Sequence, residues 1–169
     1  MNIKKRLEKF GITSVYHFTD ESNLESIEKF GIQSLYNIEQ QNIDVSRFGA
    51  NELSHDLDVR SGLDRYVHLS FIKDHPMYHN AKSRGSILKP VWLEIDISIL
   101  FEDETLFCDE VANSSRAVLF RVDNILNSIN FNGMINERDF WIKKEIRKAE
   151  ILAYNNVSTD KILGVTYGK

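Results

Sequence analysis

One cysteine, two prolines and no long apolar run set the first limits on this 169-residue chain. A lone Cys108 has no partner for an internal disulfide, which fits a reducing compartment; single cysteines are more often small buried hydrophobes than nucleophiles. No Cys or His pair has zinc-finger spacing, so no metal is expected. Nothing approaches the roughly 20 consecutive apolar residues of a membrane helix, and residues 1–9 are charged and amphipathic where a signal sequence would be apolar, so a cytoplasmic protein with no membrane partner is expected. Positive charge is short as well, with 21 Lys+Arg against 25 Asp+Glu and a net charge of −4. That balance argues against coating duplex nucleic acid through bulk electrostatics. It leaves room for a local groove: Lys143, Lys144, Arg147 and Lys148 form one basic cluster and Lys82, Arg84 and Lys89 another, each readable as a solvated face or as an anion-binding rim.

With 42% apolar residues the chain can bury the core of one compact domain, expected over residues 1–169, and is too short for two. Residues 2–10 read as an amphipathic helix stopped by Gly11 and residues 14–18 as a strand. Thr19 or Asp20 can then cap a helix whose apolar positions Leu24, Ile27 and Phe30 end at Gly31. Residues 33–49 are polar and read mostly as loop, followed by a weak helix over 52–57 and a strand around Tyr66. His75-Pro76 forces a bend before a short helix over 77–83. Pro90–Asp96 alternates into the clearest central strand, with Val91, Leu93 and Ile95 on one face and Trp92 on the other. Residues 105–108, 149–154 and 161–166 read as further strands, and 122–129 and 140–148 as helices. Five or six short strands mixed irregularly with helices give an α+β class, because regular βαβ alternation is absent.

Polar chemistry is densest over residues 51–81, where Asn51, Arg60, Tyr66, His68, Ser70, His75 and His79 surround one short strand. Core strands rarely carry so many groups that need hydrogen-bond partners, so this segment reads as a site wall. Glu150 heads an apolar strand after a basic helix end. It is either a catalytic carboxylate tuned by burial and nearby cations or a surface acid paired with Lys148 or Lys143. His17, at the end of the first strand and two residues before the Thr19 hydroxyl, suits a sugar or an amide, or else is a satisfied structural imidazole. Arg60 carries a planar fork suited to a diphosphate, or is solvated.

Taken in order, several stretches resemble the DarT family of nucleic-acid ADP-ribosyltransferases over residues 14–155. They are Tyr16-His17-Phe18-Thr19 with Asn23-Leu24 and Gly31; Asn51-Glu52-Leu53 through Leu57 to Arg60; residues 64–71 followed by His75-Pro76-Met77; residues 109–113; and Arg147-Lys148-Ala149-Glu150-Ile151-Leu152. The resemblance implies an ADP-ribosyltransferase-like split, bent β-sheet with flanking helices and NAD as donor in the cleft. His17 and Thr19 would hold the nicotinamide ribose, Tyr66 and Ser70 would line the nicotinamide wall with Phe71 behind, and Phe18, Asn23, Asn51 and Leu57 complete the expected NAD-binding set. Glu150 matches the family's essential glutamate and Arg60 its arginine, so these two are the expected catalytic pair. Cleavage of the ribose–nicotinamide bond develops oxocarbenium character, which Glu150 would steady while positioning the 2′-hydroxyl.

Lys148, two residues before Glu150, would repel a protein arginine acceptor. Lys143, Lys144, Arg147, Lys148 and His75 are instead expected to meet single-stranded nucleic acid, DNA favoured over RNA, with Phe140, Trp141 or Tyr36 stacking on a base. The family further implies a toxin of a toxin–antitoxin or phage-defence system, restrained by a macrodomain-type or other antitoxin. Residues 33–49 have no counterpart in it. Two other readings stand beside this one: a metal-independent ribonuclease using His17 or His75 with Glu150, and a non-catalytic nucleic-acid-binding module in which Glu150 merely pairs.

Overall fold

The computed structural model describes residues 2–48 and 52–168, the side chains of 52–54 excepted. In chain order the first half contains α1 (Ile3–Lys9), β1 (Ser14–Asp20), α2 (Leu24–Phe30), β2 (Ile32–Gln33), α3 (Leu35–Gln41), α4 (Glu52–Ser61), β3 (Tyr66–Ser70) and α5 (Pro76–Ser83). The second half adds β4 (Pro90–Asp96), β5 (Leu106–Cys108), α6 (Ile125–Ser128), α7 (Phe131–Asn136), α8 (Phe140–Ile146), β6 (Glu150–Tyr154), β7 (Asn156–Val157) and β8 (Ile162–Tyr167). No helix among the described residues is long and apolar enough to cross a membrane.

The alternation of β4 buries Val91, Leu93 and Ile95 on one side and Trp92 on the other, so the strand is covered on both faces and sits inside the sheet. Six strands run in the order β5-β6-β3-β1-β4-β8, every neighbouring pair antiparallel. β2 and β7 form a separate two-stranded ribbon. β1 pairs with β4 along its whole length, from Ser14 opposite Asp96 to Asp20 opposite Pro90. Its other edge behaves differently, meeting β3 in register at Tyr16 and Ser70 alone. β3 in turn pairs fully with β6, from Tyr66 opposite Tyr154 to Ser70 opposite Glu150. The sheet is therefore two well-zipped halves joined at one point. The expected α+β class and split sheet are both present.

Below the sheet, Phe71 stacks with Phe107 and meets Phe131 edge-on, in a core that includes Leu7, Leu93, Ile95, Leu100, Ile125, Met134 and Ile151. Several elements depart from the sequence expectation, among them the unanticipated β2 and β7 and an α4 that continues past residue 57 to Ser61. Within the supposed loop 33–49 lies α3, whose start is capped by the Ser34 hydroxyl accepting from the Asn37 amide at 3.2 Å and whose end is Asn42 in the left-handed region. The helix expected over 122–129 is a short turn followed by the four residues of α6. α7 was not anticipated; the Asn130 side chain caps it by accepting from Gly133 N at 2.8 Å. Gly31, which ends α2 at φ +74, has a tighter reason to be glycine: a Cβ there would stand 2.4 Å from the Val157 carbonyl oxygen, so side-chain absence lets α2 dock on β7.

Asp20 fastens the site's first strand to the chain entering β4. Its carboxylate accepts from the amides of Leu88, Lys89 and Ser22 at 2.8, 3.0 and 3.1 Å and from the Ser22 hydroxyl at 2.7 Å. Burial pushes its pKa up, but the Lys89 amide, Ser22 and Leu88 outweigh that and lower it from 3.8 to about 2. A carboxyl depressed on folding stabilises the fold above its unfolded pKa and loses that contribution as pH falls through the folded one. Asp20→Asn is therefore expected to cost roughly 2 kcal/mol at pH 7 by urea denaturation. The gap from the unaltered chain should shrink as the pH is lowered from about 4 to about 2.

Candidate active site

Past Tyr16 and Ser70, β1 and β3 stop exchanging ladder hydrogen bonds, and the gap between them opens into a cavity of about 220 Å³. Its walls include Tyr16, His17, Phe18 and Thr19 from β1, Tyr66, His68 and Ser70 from β3, and Glu150 at the head of β6. Period-two alternation explains the β3 contribution: Val67, Leu69 and Phe71 are buried core residues, which turns Tyr66, His68 and Ser70 towards the split. His17 spans the gap by donating from Nδ1 to the His68 carbonyl at 3.0 Å, a side-chain substitute for the missing ladder bond. This fixes the tautomer and leaves Nε2 as the acceptor. Burial lowers the His17 pKa to about 4, so the ring is neutral at pH 7.

Glu150 is 6% exposed and held by one edge of its carboxylate. Ala112 N donates to Oε2 at 2.9 Å, and His68 Nδ1 lies 3.3 Å from the same oxygen. On the far side of the imidazole, Nε2 stands 3.8 Å from Oδ2 of the buried Asp58. Burial opposes charge on His68, but the Glu150 hydrogen bond and the charges of Glu150 and Asp58 prevail and raise its pKa to about 9. Burial likewise pushes Glu150 up, and the His68 hydrogen bond and charge, with the Ala112 amide, bring it below the usual carboxylate range. The cleft floor thus carries an imidazolium between two carboxylates, one of them ionised and pinned.

His75 secures the approach to Glu150. It is 2% exposed, its Nδ1 accepts from Met77 N at 3.2 Å to cap α5, and its Nε2 donates to the Lys148 carbonyl at 3.3 Å. Burial lowers its pKa, in keeping with a neutral ring. Asn23 does similar work on the opposite wall. Its amide donates to Thr19 Oγ1 at 2.9 Å and to the Arg47 carbonyl at 2.6 Å, and its Oδ1 accepts from Arg47 N at 3.2 Å. That network holds Arg47 and Phe48, both lining residues, against β1.

Of the residues expected to bind NAD, His17, Phe18, Thr19, Asn23, Tyr66 and Ser70 are gathered around the cavity with Glu150. The Ser70 hydroxyl already donates to the Ile72 carbonyl at 2.7 Å, so its contribution is to shape the turn at the wall's end. Phe71 sits behind the wall as expected, wholly within the core. Leu57 is half-buried and does not line the cavity, and Asn51 lies outside the described residues. Arg60 is exposed at the last turn of α4 and is not a lining residue; Asp58, two positions earlier on the helix, faces the cleft in its place.

The expected nucleic-acid set divides. His75 is a buried cap that no phosphate can reach. Arg147 is occupied by Asp74 and by the Met134 carbonyl, and Lys148 by Glu145 and Glu110. Lys144 lies over the Trp141 ring at 5.5 Å, and Phe140 and Trp141 are 68% and 69% exposed on α8. Sequence reasoning missed Asp58 and did not single out His68. A signal was present for each: His55 and Asp58 are one turn apart on α4, and His68 falls midway between two other polar residues on an otherwise apolar alternation.

The family model described as "ssDNA thymidine ADP-ribosyltransferase, DarT" matches residues 16–168. The chain belongs to the DarT family. The description of that family favours the transfer reading over the ribonuclease and passive-binding readings. DarTG of Thermosipho africanus in complex with ADP-ribose superposes with a TM-score of 0.74 at 23% identity, covering 92% of this chain and 44% of that one. This chain thus spans under half the length of that relative. DarT of Thermus sp. 2.9 in complex with ADP-ribosylated ssDNA gives 0.72 at 16% identity, and the same protein with NAD+ gives 0.69 at 18%, each covering 94% of this chain and 83% of the other. At these identities the likeness establishes the fold. No curated protein sequence matches.

The residues present fit an N-glycosidic donor of NAD's kind: an aromatic and aliphatic wall, a neutral imidazole acceptor, and a carboxylate held through one oxygen with the other able to accept from a sugar hydroxyl. No group of three or more metal-ligating side chains occurs among the described residues.

Histidine NMR should resolve two titrations, His17 near pH 4 and His68 near pH 9. Glu150→Gln is expected to move His68 down towards 6.5. Because the folded pKa of His68 is raised, that group's contribution to stability is complete below pH 6.5 and is lost as pH rises through about 9. Thermal melts should therefore decline across that window in the unaltered chain and hardly at all in Glu150→Gln.

Proposed function

We propose that this chain transfers ADP-ribose from NAD to a thymine base of single-stranded DNA, as the toxin of a toxin–antitoxin or phage-defence pair. The observation that carries the reading is Glu150: buried, ionised, and held by Ala112 and a protonated His68 at the head of β6, facing the split between β1 and β3. Bound NAD supplies an ADP-ribosyl group whose bond to nicotinamide breaks with the amide leaving neutral. Glu150 accepts from the ribose 2′-hydroxyl and offsets positive charge growing on the sugar, a role for which a preorganised charge in a low-dielectric cleft is far more effective than water. His17 offers Nε2 to a hydroxyl or amide, and Tyr66 and Phe18 flank the nicotinamide. Asn23 and Thr19 keep that wall in place without needing to touch the dinucleotide.

For the acceptor strand, α8 offers the exposed rings of Phe140 and Trp141 with Lys143 and Lys144 beside them. A single strand can lay a base on such rings without the cost of opening a duplex. Arg147 and Lys148 serve chiefly to anchor the chain entering Glu150. The Thermus relative's complex with ADP-ribosylated ssDNA supports DNA over RNA as acceptor. The likeness to the Thermosipho DarTG supports an antitoxin partner, of macrodomain or other type. The reading places the chain in the cytoplasm as one domain over residues 1–169, with Cys108 buried and free.

Incubation with NAD labelled in its adenylate, offered separately single-stranded DNA containing thymine, RNA and protein, should label the DNA. Glu150→Gln should reduce labelling by at least about 10²-fold while its circular dichroism spectrum stays that of the unaltered chain. Label on protein alone, or undiminished labelling by Glu150→Gln, would contradict the reading.

A further inference from the structure

Asp58 has so far served only as the second carboxylate flanking His68. It is 9% exposed, lines the same cavity as Glu150, and its Oδ1 is buried without a hydrogen-bond partner. Its charged and polar neighbours are His55 on its own helix, His68 on β3, Glu150 on β6, and Asn113 in the loop after β5. One imidazolium cannot neutralise two carboxylates. His68 lies at 3.3 Å from Glu150, which also has the Ala112 amide, and at 3.8 Å from Asp58, which has an Asn113 side-chain hydrogen bond but keeps its buried Oδ1 without a partner. Burial raises its pKa, and the Glu150 charge adds to that against the pull of His68, His55 and the Asn113 hydrogen bond. A buried acceptor in this state is unfavourable until a donor arrives, and a ligand entering the cavity is the source the geometry allows.

Transfer to thymine brings such a donor. In a nucleotide, thymine keeps one ring N–H, its imide, and a neutral nitrogen-linked product requires that this proton leave. Resting on the transfer reading above, we propose that Asp58 is the general base that removes the imide proton of the acceptor base. The N–H bond breaks with its proton passing to Asp58, and the nitrogen's electron pair forms the bond to ribose C1′. The bond from C1′ to nicotinamide breaks with its pair returning to the pyridinium ring, which leaves neutral. Atoms and charge balance, with the one released proton on the carboxylate. Two carboxylates set apart by an imidazole match the logic of inverting glycosyl transfer, in which one group serves the sugar and the other, across a gap of about 6.5–9.5 Å in hydrolases, deprotonates the incoming nucleophile. Arg60 cannot take this role, since a guanidinium stays protonated. His75 has both ring nitrogens committed.

Asp58→Asn in the full chain, assayed with NAD and an oligonucleotide bearing a single thymine, should lose roughly 10²-fold or more in transfer rate. Its NAD affinity by calorimetry should be unchanged. Replacing the thymine with 5-fluorouracil, whose imide is more acidic, should recover part of the loss. A wild-type rate in Asp58→Asn, or an equal deficit on both bases, would overturn the role. Should Asp58→Asn fail to fold, the pH–rate profile of the unaltered chain decides: the rate must fall as the pH drops through the protonation of Asp58, before Glu150 titrates, and a flat acid limb overturns the proposal. An unaltered chain that takes up NAD and labels thymine while Asp58→Asn does so equally well leaves the transfer reading standing and removes only Asp58. One that does neither removes both.

Discussion

The single register contact between Tyr16 and Ser70 is the constraint on which the cleft depends. A sheet zipped along that seam would bury its backbone groups in a ladder and leave no space; a sheet with no contact there would be two unconnected halves. One pair of residues joins the β1–β4–β8 half to the β3–β6–β5 half and then lets the strands part. The polar groups exposed by that parting need other partners, and His17 meets one of them by reaching across to the His68 carbonyl. The same row across the sheet runs from Glu94 through Tyr16 and Ser70 to Glu150 and Cys108, so the point that joins the halves also sets where the carboxylate stands.

Charge in the cleft is organised by burial and pairing together. Glu150 and Asp58 would each be driven towards the neutral acid by desolvation, and His68 towards the neutral base. Placed in a row, the charges support one another, and the result is a carboxylate that stays ionised and an imidazole that stays protonated at neutral pH. His17 and His75 go the other way, because burial outweighs what pulls them up: the His68 carbonyl for His17, and the Glu150 charge and the Lys148 carbonyl for His75. Four side chains of two types thereby take distinct protonation states within one small cavity, which is the usual basis for dividing acid–base roles.

Much of this was legible from residue order. The alternations of β3, β4 and β6, the Gly11 and Gly31 stops and the His75-Pro76 bend are local signals, and they hold because local physics determines them. Glu150, His17 and Tyr66 were visible as chemistry out of place on apolar strands. What stayed hidden was long-range. His68 and Glu150 are 82 positions apart, and no spacing rule connects them; His75 looks like a surface residue until its contact with the Lys148 carbonyl is seen. Arg60 drew notice for its planar fork and its match to the family arginine, whereas helical phase turned Asp58 inward and Arg60 out. In residues 33–49 polar composition concealed a helix that depends on one serine cap.

The most direct test is a crystal structure of this chain with a non-hydrolysable carbocyclic NAD analogue. The ribose should lie within hydrogen-bond distance of Glu150, with the pyridine ring in the split between β1 and β3. A dinucleotide seated elsewhere, or a split that stays empty at saturating analogue, would contradict the assignment of this cleft as the donor site.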